Sequence, residues 1–350
     1  MELPTQNMRT LASYGFKPSS NASQAGAEGE QDAGHQSDIE EILQPDARGT
    51  TNDMQEVDLR PLLFRGVTQE NCSELSKITF DTLKARLECF HLDRDRLLGQ
   101  MEVSNAYISG SFPLTITHPH IQPKDLDMYV RFMDVGGLVD FLVREGYGQP
   151  IELGTEYKDE TGGTGTEIRN TYNGIVRVLS LKHDKGEVVN IVATEGPPIQ
   201  VIPLFHSTVV MNYIASHGFV MMYPKTTLDN MGMINCGGKL PRKIIGCVSK
   251  YRERGFVLVR DFPSMGPNSH RCGTDKYCPQ TIRHLQDKAI LHVPFPAYVE
   301  EDLGRLRQEK DAEKCVWQLA NGPFCKQPTA DKHGFSLVNT YASMKTKTTN

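Results

Sequence analysis

The stretch SGSFPLTITHPHIQPKDLDMYVRF, residues 109–132, decides how this chain is read. It opens on Gly110-Ser111, runs through thirteen further residues, and reaches Asp125-Leu126-Asp127-Met128-Tyr129-Val130. VSNAYISGSF reads as a short strand ending in the Gly-Ser turn, and Pro113 suits the first turn of a brief helix over SFPLTIT. LDMYVRF, residues 126–132, reads as a second short strand, with β-branched and aromatic character. Two aspartates separated by one residue on a strand point to the same face, so Asp125 and Asp127 are placed to share a divalent cation. Carboxylate oxygens are the ligands Mg²⁺ prefers, and Mg²⁺ completes its shell with waters and substrate phosphates. Gly110 lets backbone approach a phosphate, and Ser111 stands at a helix N-terminus, where free N–H groups and the helix dipole favour an anion.

Around this stretch the periodicity changes from segment to segment. Upstream, Leu75, Ile78, Leu83, Leu87 and Phe90 recur at helical spacing, which predicts an amphipathic helix within residues 73–98. Downstream, Asp134 is placed to cap a helix over GGLVDFLVREG that Gly146 ends. RNTYNGIVRVLSLK and EVVNIVAT flank His183-Asp184-Lys185-Gly186 and predict a hairpin. The Gly-rich TGGTGT, residues 161–166, lacks the Gly-Lys-Ser/Thr ending of a phosphate-binding loop and reads as a hairpin tip. The apolar segment 205–217 has helical spacing, PRKIIGCVSKYRERG at 241–255 carries Pro at its start and Gly at its end, and a last charged helix is expected over 299–319. The order of elements predicts an α+β fold around a small mixed sheet.

Gly110-Ser111 followed by Asp125-x-Asp127 resembles the signature of the nucleotidyltransferase (polymerase beta-like) fold superfamily, a Gly-Ser or Gly-Gly turn before an Asp-hydrophobic-Asp strand. Roughly residues 60–290 share the resemblance; within them FHSTVVMNYI (205–214), MMYPKTTL (221–228) and KYRERGF (250–256) look like segments of uncharacterised fungal proteins with this core. The resemblance implies a nucleotidyltransferase-like small mixed sheet flanked by helices, with a mostly helical C-terminal part. It also implies Asp125 and Asp127 as catalytic metal ligands, Gly110 and Ser111 as holders of the triphosphate, and Mg²⁺ as cofactor. The partners it implies are a nucleoside triphosphate and an acceptor hydroxyl on RNA, protein or a small molecule.

The family's third carboxylate belongs on a later, adjacent strand. The candidate strand here is Val188-Val189-Asn190-Ile191-Val192, whose central polar residue is an amide and a weaker Mg²⁺ ligand. Glu187 and Glu195 stand at odd offsets from Asn190 and fall on the opposite strand face. Two readings follow, Mg²⁺-dependent nucleotide binding with nucleotidyl transfer, or a degenerate core serving as an interaction module. Of the remaining polar residues, His206 is a candidate phosphate or base contact, against the plainer reading of a capping or core histidine. Thr208 and Asn212 share its face at helical spacing. Tyr223 and Lys225 are candidates to stack on a base and meet a phosphate, against a packed Tyr and a surface Lys.

Composition sets the outer bounds. At 350 residues with 38% hydrophobic and 23% charged positions, the chain is globular in character and long enough for a sizeable core. Residues 1–58 hold eleven acids against three bases, a net −8, and lack periodicity; since the whole chain carries −5, the remainder is mildly basic at +3. The expected organisation is a disordered acidic tail over 1–58, a core over 59–235, a helical region over 236–330 and a tail over 331–350. With no run of about 18 apolar residues, no membrane partner is expected. Without a signal-peptide pattern a cytoplasmic or nuclear location is expected, where the eight cysteines are reduced thiols. His270, Cys272, Cys278, Cys315 and Cys325 raise a zinc alternative, weakened by the absence of a CxxC pair. No GxSxG, HExxH, EF-hand, GxGxxG or kinase motif occurs, which removes support for hydrolase and dehydrogenase classes.

Overall fold

The structure, a computed structural model, describes residues 58–153, 156–158, 164–166, 174–237, 239–260, 273–299 and 315–320. Residues 1–57 of the expected disordered tail and all of the expected C-terminal tail, 331–350, lie outside the described residues. The described elements start with α1 (Arg60–Phe64), α2 (Cys72–Glu88) and α3 (Arg94–Ser104), followed by β1 (Tyr107–Ser109) and β2 (Asp125–Arg131). Then come α4 (Val135–Arg144), β3 (Ile151–Glu152), β4 (Glu156–Lys158), β5 (Thr164–Thr166), β6 (Ile175–Lys182) and β7 (Val188–Thr194). The remainder is β8 (Asn212–Ala215), β9 (Gly218–Met221), α5 (Pro224–Leu228), β10 (Met231–Met233), α6 (Arg242–Glu253), β11 (Val257–Val259), β12 (Arg283–His284), β13 (Leu291–Pro294) and β14 (Val316–Trp317).

Eight strands form one mixed sheet in the order β13-β9-β8-β1-β2-β7-β6-β3. Its neighbours are antiparallel except β2 and β7, which run parallel with Asp127 opposite Asn190. The alternation of β2 and β7 sorts their side chains into two layers. Leu126, Met128, Val130, Val189, Ile191 and Ala193 join the largest core with Leu75, Leu83 and Leu87 of α2, Leu97 of α3 and Leu138 and Phe141 of α4. Burial of each Leu or Ile in that layer is worth about 1.5–3 kcal/mol. Tyr129 and Val192 point the other way and pack with Val178 and Val201. The fold is therefore α+β, a mixed sheet flanked by helices, as the order of predicted elements implies.

Three expectations are corrected. The helix predicted within 73–98 is two helices, because the chain turns at His91 (φ +56°) and Asp93 starts α3 by accepting a hydrogen bond from Arg96 N at 2.9 Å. The segment 205–217 is a 3-10 turn over Thr208–Val210 followed by strand β8. Its β-branched residues suit a strand, and the vacant edge of β1 gives that strand a partner, Ile108 opposite Ile214. The C-terminal part, expected to be mostly helical, holds α6 alongside short strands among its described residues. Val316–Trp317 pairs with β12 where the last helix was expected, and β13 extends the main sheet beside β9. Tertiary pairing overrides helical periodicity there: Trp317 is fully buried, its Nε1 donating to the Tyr223 hydroxyl at 3.0 Å.

No helix among the described residues is long and apolar enough to cross a membrane.

Candidate nucleotide and metal site

β1 delivers the Gly-Ser turn and β2 the two aspartates, and the antiparallel register that sets Ser109 opposite Asp127 brings turn and carboxylate together. Gly110 has φ +76°, a left-handed conformation that favours glycine. A Cβ on it would lie 2.7 Å from Asp127 Oδ2, inside contact distance. The turn thus has no room for a side chain because a carboxylate sits against it. Ser109 anchors the strand end from the other side, its hydroxyl donating to the Asn212 carbonyl at 2.6 Å. Ser111 is buried and precedes the 3-10 turn Phe112–Ile116, making no side-chain capping bond to it.

Asp125 and Asp127 are half-buried on one face of β2, and Asn190 of β7 joins them. The Asn190 amide Nδ2 donates to Asp127 Oδ1 at 3.0 Å and leans toward Asp125 Oδ2 at 3.4 Å. The strand holding the amide is therefore the neighbour of the aspartate strand, in register with it. Burial pushes the Asp127 carboxyl up to about 7, and the adjacent Asp125 charge pushes in the same direction; the Asn190 hydrogen bond and the Lys250 ammonium draw it down. Two carboxylates on one face, with the proton affinity of Asp127 raised, make a centre that a cation would relieve.

A third wall comes from α6. Ile244, Val248 and Tyr251 on its inner face pack with Leu114 of the turn after Ser111 and with Val209 and Val210. Tyr251 is buried; burial chiefly raises its phenol's proton affinity, and the charges of Asp127 and Asp125 reach it. Lys250 is exposed beside it, the ammonium 5.8 Å from the Tyr251 ring centre. His206 packs its ring 5.5 Å from that of Tyr251, and burial, reinforced by the Lys250 charge, lowers its imidazole to about 4, so it is neutral near pH 7.

The predicted residues thus separate. Gly110, Ser111, Asp125 and Asp127 converge, and His206 borders the same region through Tyr251. Thr208 and Asn212 do not share a helical face with it: Thr208 Oγ1 accepts from Met233 N at 2.9 Å, and Asn212 Nδ2 donates to Val209 O at 2.7 Å. Lys225 is exposed on α5, its ammonium 6.0 Å from the Tyr277 ring centre, in a groove lined by Phe64, Val67, Lys288 and His292 that includes neither aspartate. Tyr223 is packed, as the plainer reading had it, with the Arg283 guanidinium 4.9 Å from its ring centre. Lys250 and Tyr251 lie in SKYRERGF, whose basic residues are candidates to line a phosphate-binding groove against the plainer reading of a solvated helix face; the packing of α6 on the Gly-Ser turn brings them near the aspartates. For the zinc alternative, His270, Cys272 and Cys325 lie outside the described residues, while Cys278 and Cys315 are buried, and burial pushes the Cys315 thiol up to about 12.

No known protein family and no curated protein matches the sequence. Among solved structures, the chain is similar to a Thermotoga maritima CCA-adding enzyme complexed with tRNA, at 15% identity and a TM-score of 0.35, over 53% of this chain and 42% of that one. It is also similar to an apo form of a CCA-adding enzyme, at 12% identity and a TM-score of 0.33, over 58% of this chain and 43% of the other. A CCA-adding enzyme in complex with CTP matches at 13% identity and a TM-score of 0.31, over 51% and 43%. This chain therefore spans less than half the length of each.

Proposed function

We propose that the chain binds a nucleoside triphosphate together with a divalent cation at Gly110, Ser111, Asp125 and Asp127, and passes a nucleotidyl group to an acceptor hydroxyl. The observation that carries the reading is the fit of Gly110 against Asp127: a turn without a side chain, set against one carboxylate of an Asp-x-Asp pair that shares a strand face. The pair suits a hard cation with oxygen ligands, and the raised carboxyl of Asp127 is the charge conflict such a cation offsets. When bound, Mg²⁺ supplies charge neutralisation for the triphosphate. The chain's own residues would supply positioning: backbone N–H groups at Gly110 and Ser111 would hold the phosphates, and Lys250 would add positive charge at the rim. The acceptor is a hydroxyl of RNA, protein or a small molecule.

A second reading, a catalytically degenerate interaction module, has one observation in its favour. Asn190 stands in register with Asp127, and its amide satisfies both carboxylates in place of a third acid. Thermal stability with each of the four NTPs, with and without Mg²⁺, separates the readings. A ligand at about 100 times its dissociation constant adds about 2.7 kcal/mol. The expected result is a Mg²⁺-dependent shift that Asp125→Asn/Asp127→Asn abolishes; no shift with any NTP sinks nucleotide binding. A labelled-nucleotide transfer assay onto an RNA primer then tests turnover. Transfer only in Asn190→Asp would favour the degenerate reading.

A further inference from the structure

A second polar cluster lies on the helical side of the sheet, away from the aspartate pair. His183 follows β6 and Glu187 precedes β7, at the parity of Leu181 and Val189, which face the helices. The turn between α2 and α3 brings His91 to them. One ligand-capable atom from each of His91, His183 and Glu187 lies within 4.8 Å of the others. His91 Nε2 is 3.0 Å from Glu187 Oε2, and the two imidazole ring centres are 4.6 Å apart.

The cluster is held from several directions. His183 N donates to the Glu187 carbonyl at 2.8 Å, closing the hairpin on two of the three side chains. His91 takes a left-handed conformation, φ +56°, uncommon for a residue with a Cβ. Tyr147 packs its ring 5.1 Å from that of His183 and donates its hydroxyl to the Phe90 carbonyl at 2.6 Å, one residue before His91. His91 Nε2 and Glu187 Oε2 are shielded from water and face each other at 3.0 Å. Their lone pairs are close enough for one cation to take both, with an imidazole nitrogen of His183 as the third ligand.

We propose that His91, His183 and Glu187 form a binding site for a divalent first-row transition metal of the zinc class. Two imidazoles and one carboxylate suit such an ion, whereas Mg²⁺ calls for an all-oxygen shell. Metal–ligand bonds of about 2.0–2.1 Å in a tetrahedron set the ligand atoms about 3.3 Å apart, so loading draws the cluster together by about 1 Å. Loading exchanges the 3.0 Å His91–Glu187 contact, any proton on His91 Nε2 leaving to solvent, and the 3.2 Å contact from Lys185 N to His183 Nδ1. Coordination through Nδ1 replaces it directly, and coordination through Nε2 moves the ring proton to Nδ1 and breaks it. The fourth position is left to water, and the ion clips the α2–α3 turn to the β6–β7 hairpin across a long sequence separation.

The test uses the full chain, stripped with chelator and dialysed, then titrated with Zn²⁺ by calorimetry and with Co²⁺ by visible absorption. The expected result is one ion per chain, a raised Tm, a tetrahedral Co²⁺ band, and no competition from Mg²⁺. Glu187→Gln is expected to weaken binding at least tenfold and His91→Ala/His183→Ala to abolish it, while Asp125→Asn/Asp127→Asn retains it. Absence of saturable binding, or binding unchanged in Glu187→Gln and in the double-His variant, overturns the proposal. If the double-His variant fails to fold by circular dichroism, half-exposed Glu187→Gln decides alone.

Discussion

Gly110 and Asp127 constrain each other. Any side chain at residue 110 meets the carboxylate and must also adopt φ +76°. Gly110→Ala is therefore expected to cost about 1–2 kcal/mol from the left-handed backbone alone, with the steric shift added, and to erase a Mg²⁺–NTP stabilisation. Melting curves with and without ligand check both parts. Asp127 itself is a stability liability in the metal-free protein. Its folded proton affinity, about 7, lies above the ordinary value of 3.8, so the fold favours the neutral acid and loses stability as pH rises from about 4 to 7. Asp127→Asn keeps an acceptor for the Asn190 amide and removes the like charge. It is expected to stabilise the metal-free protein by on the order of 2 kcal/mol at pH 8, by about a third of that at pH 5, and little below about pH 4, in paired denaturant titrations. The aspartate pair was legible in the sequence because period-two alternation on a strand needs no tertiary information. The role of Asn190 was legible as a residue type, while its amide bridging both carboxylates required the β2–β7 register.

At the scale of elements, local chemistry predicted β1, β2, α4, α6 and the β6–β7 hairpin, from Gly, Pro and turn residues at their ends, although Asp134 precedes α4 without the expected side-chain capping bond. It missed the break between α2 and α3, where apolar spacing continues across a turn. Asp93 makes that break by accepting from Arg96 N, so Asp93→Ala is expected to destabilise by about 1 kcal/mol; a shift of the urea midpoint at unchanged slope checks it. The segment 205–217 was misread for the opposite reason. Its apolar spacing fits a helix, but β1 and β9 offer backbone partners on both sides of β8 that a helix would leave unpaired. The same holds for Val316–Trp317, whose pairing with β12 and burial beside Tyr223 outweigh any local helical preference.

Over the whole molecule, acid sensitivity follows from buried histidines. His118 is fully buried beside Thr117, whose hydroxyl lies 2.8 Å from its Nδ1, and burial lowers its imidazole from 6.5 to about 4. The unfolded chain binds that proton below pH 6.5 and the folded protein does not until about 4, so His118 contributes stability at neutral pH that is lost as pH falls through this window. His118→Gln is expected to flatten that limb by up to about 3 kcal/mol, visible as a smaller difference in unfolding free energy between pH 7 and pH 4.5. Sequence by itself determined the α+β class, the acidic imbalance of residues 1–58 and the Gly-Ser and Asp-x-Asp pattern, because composition, period and turn chemistry act over a few residues. Tertiary structure alone decided which strand neighbours the aspartates, that Lys250 and Tyr251 border them while Lys225 does not, and that His91 meets His183 and Glu187. Those outcomes depend on register and on packing between segments far apart in the chain, where a single residue's slip reverses every face.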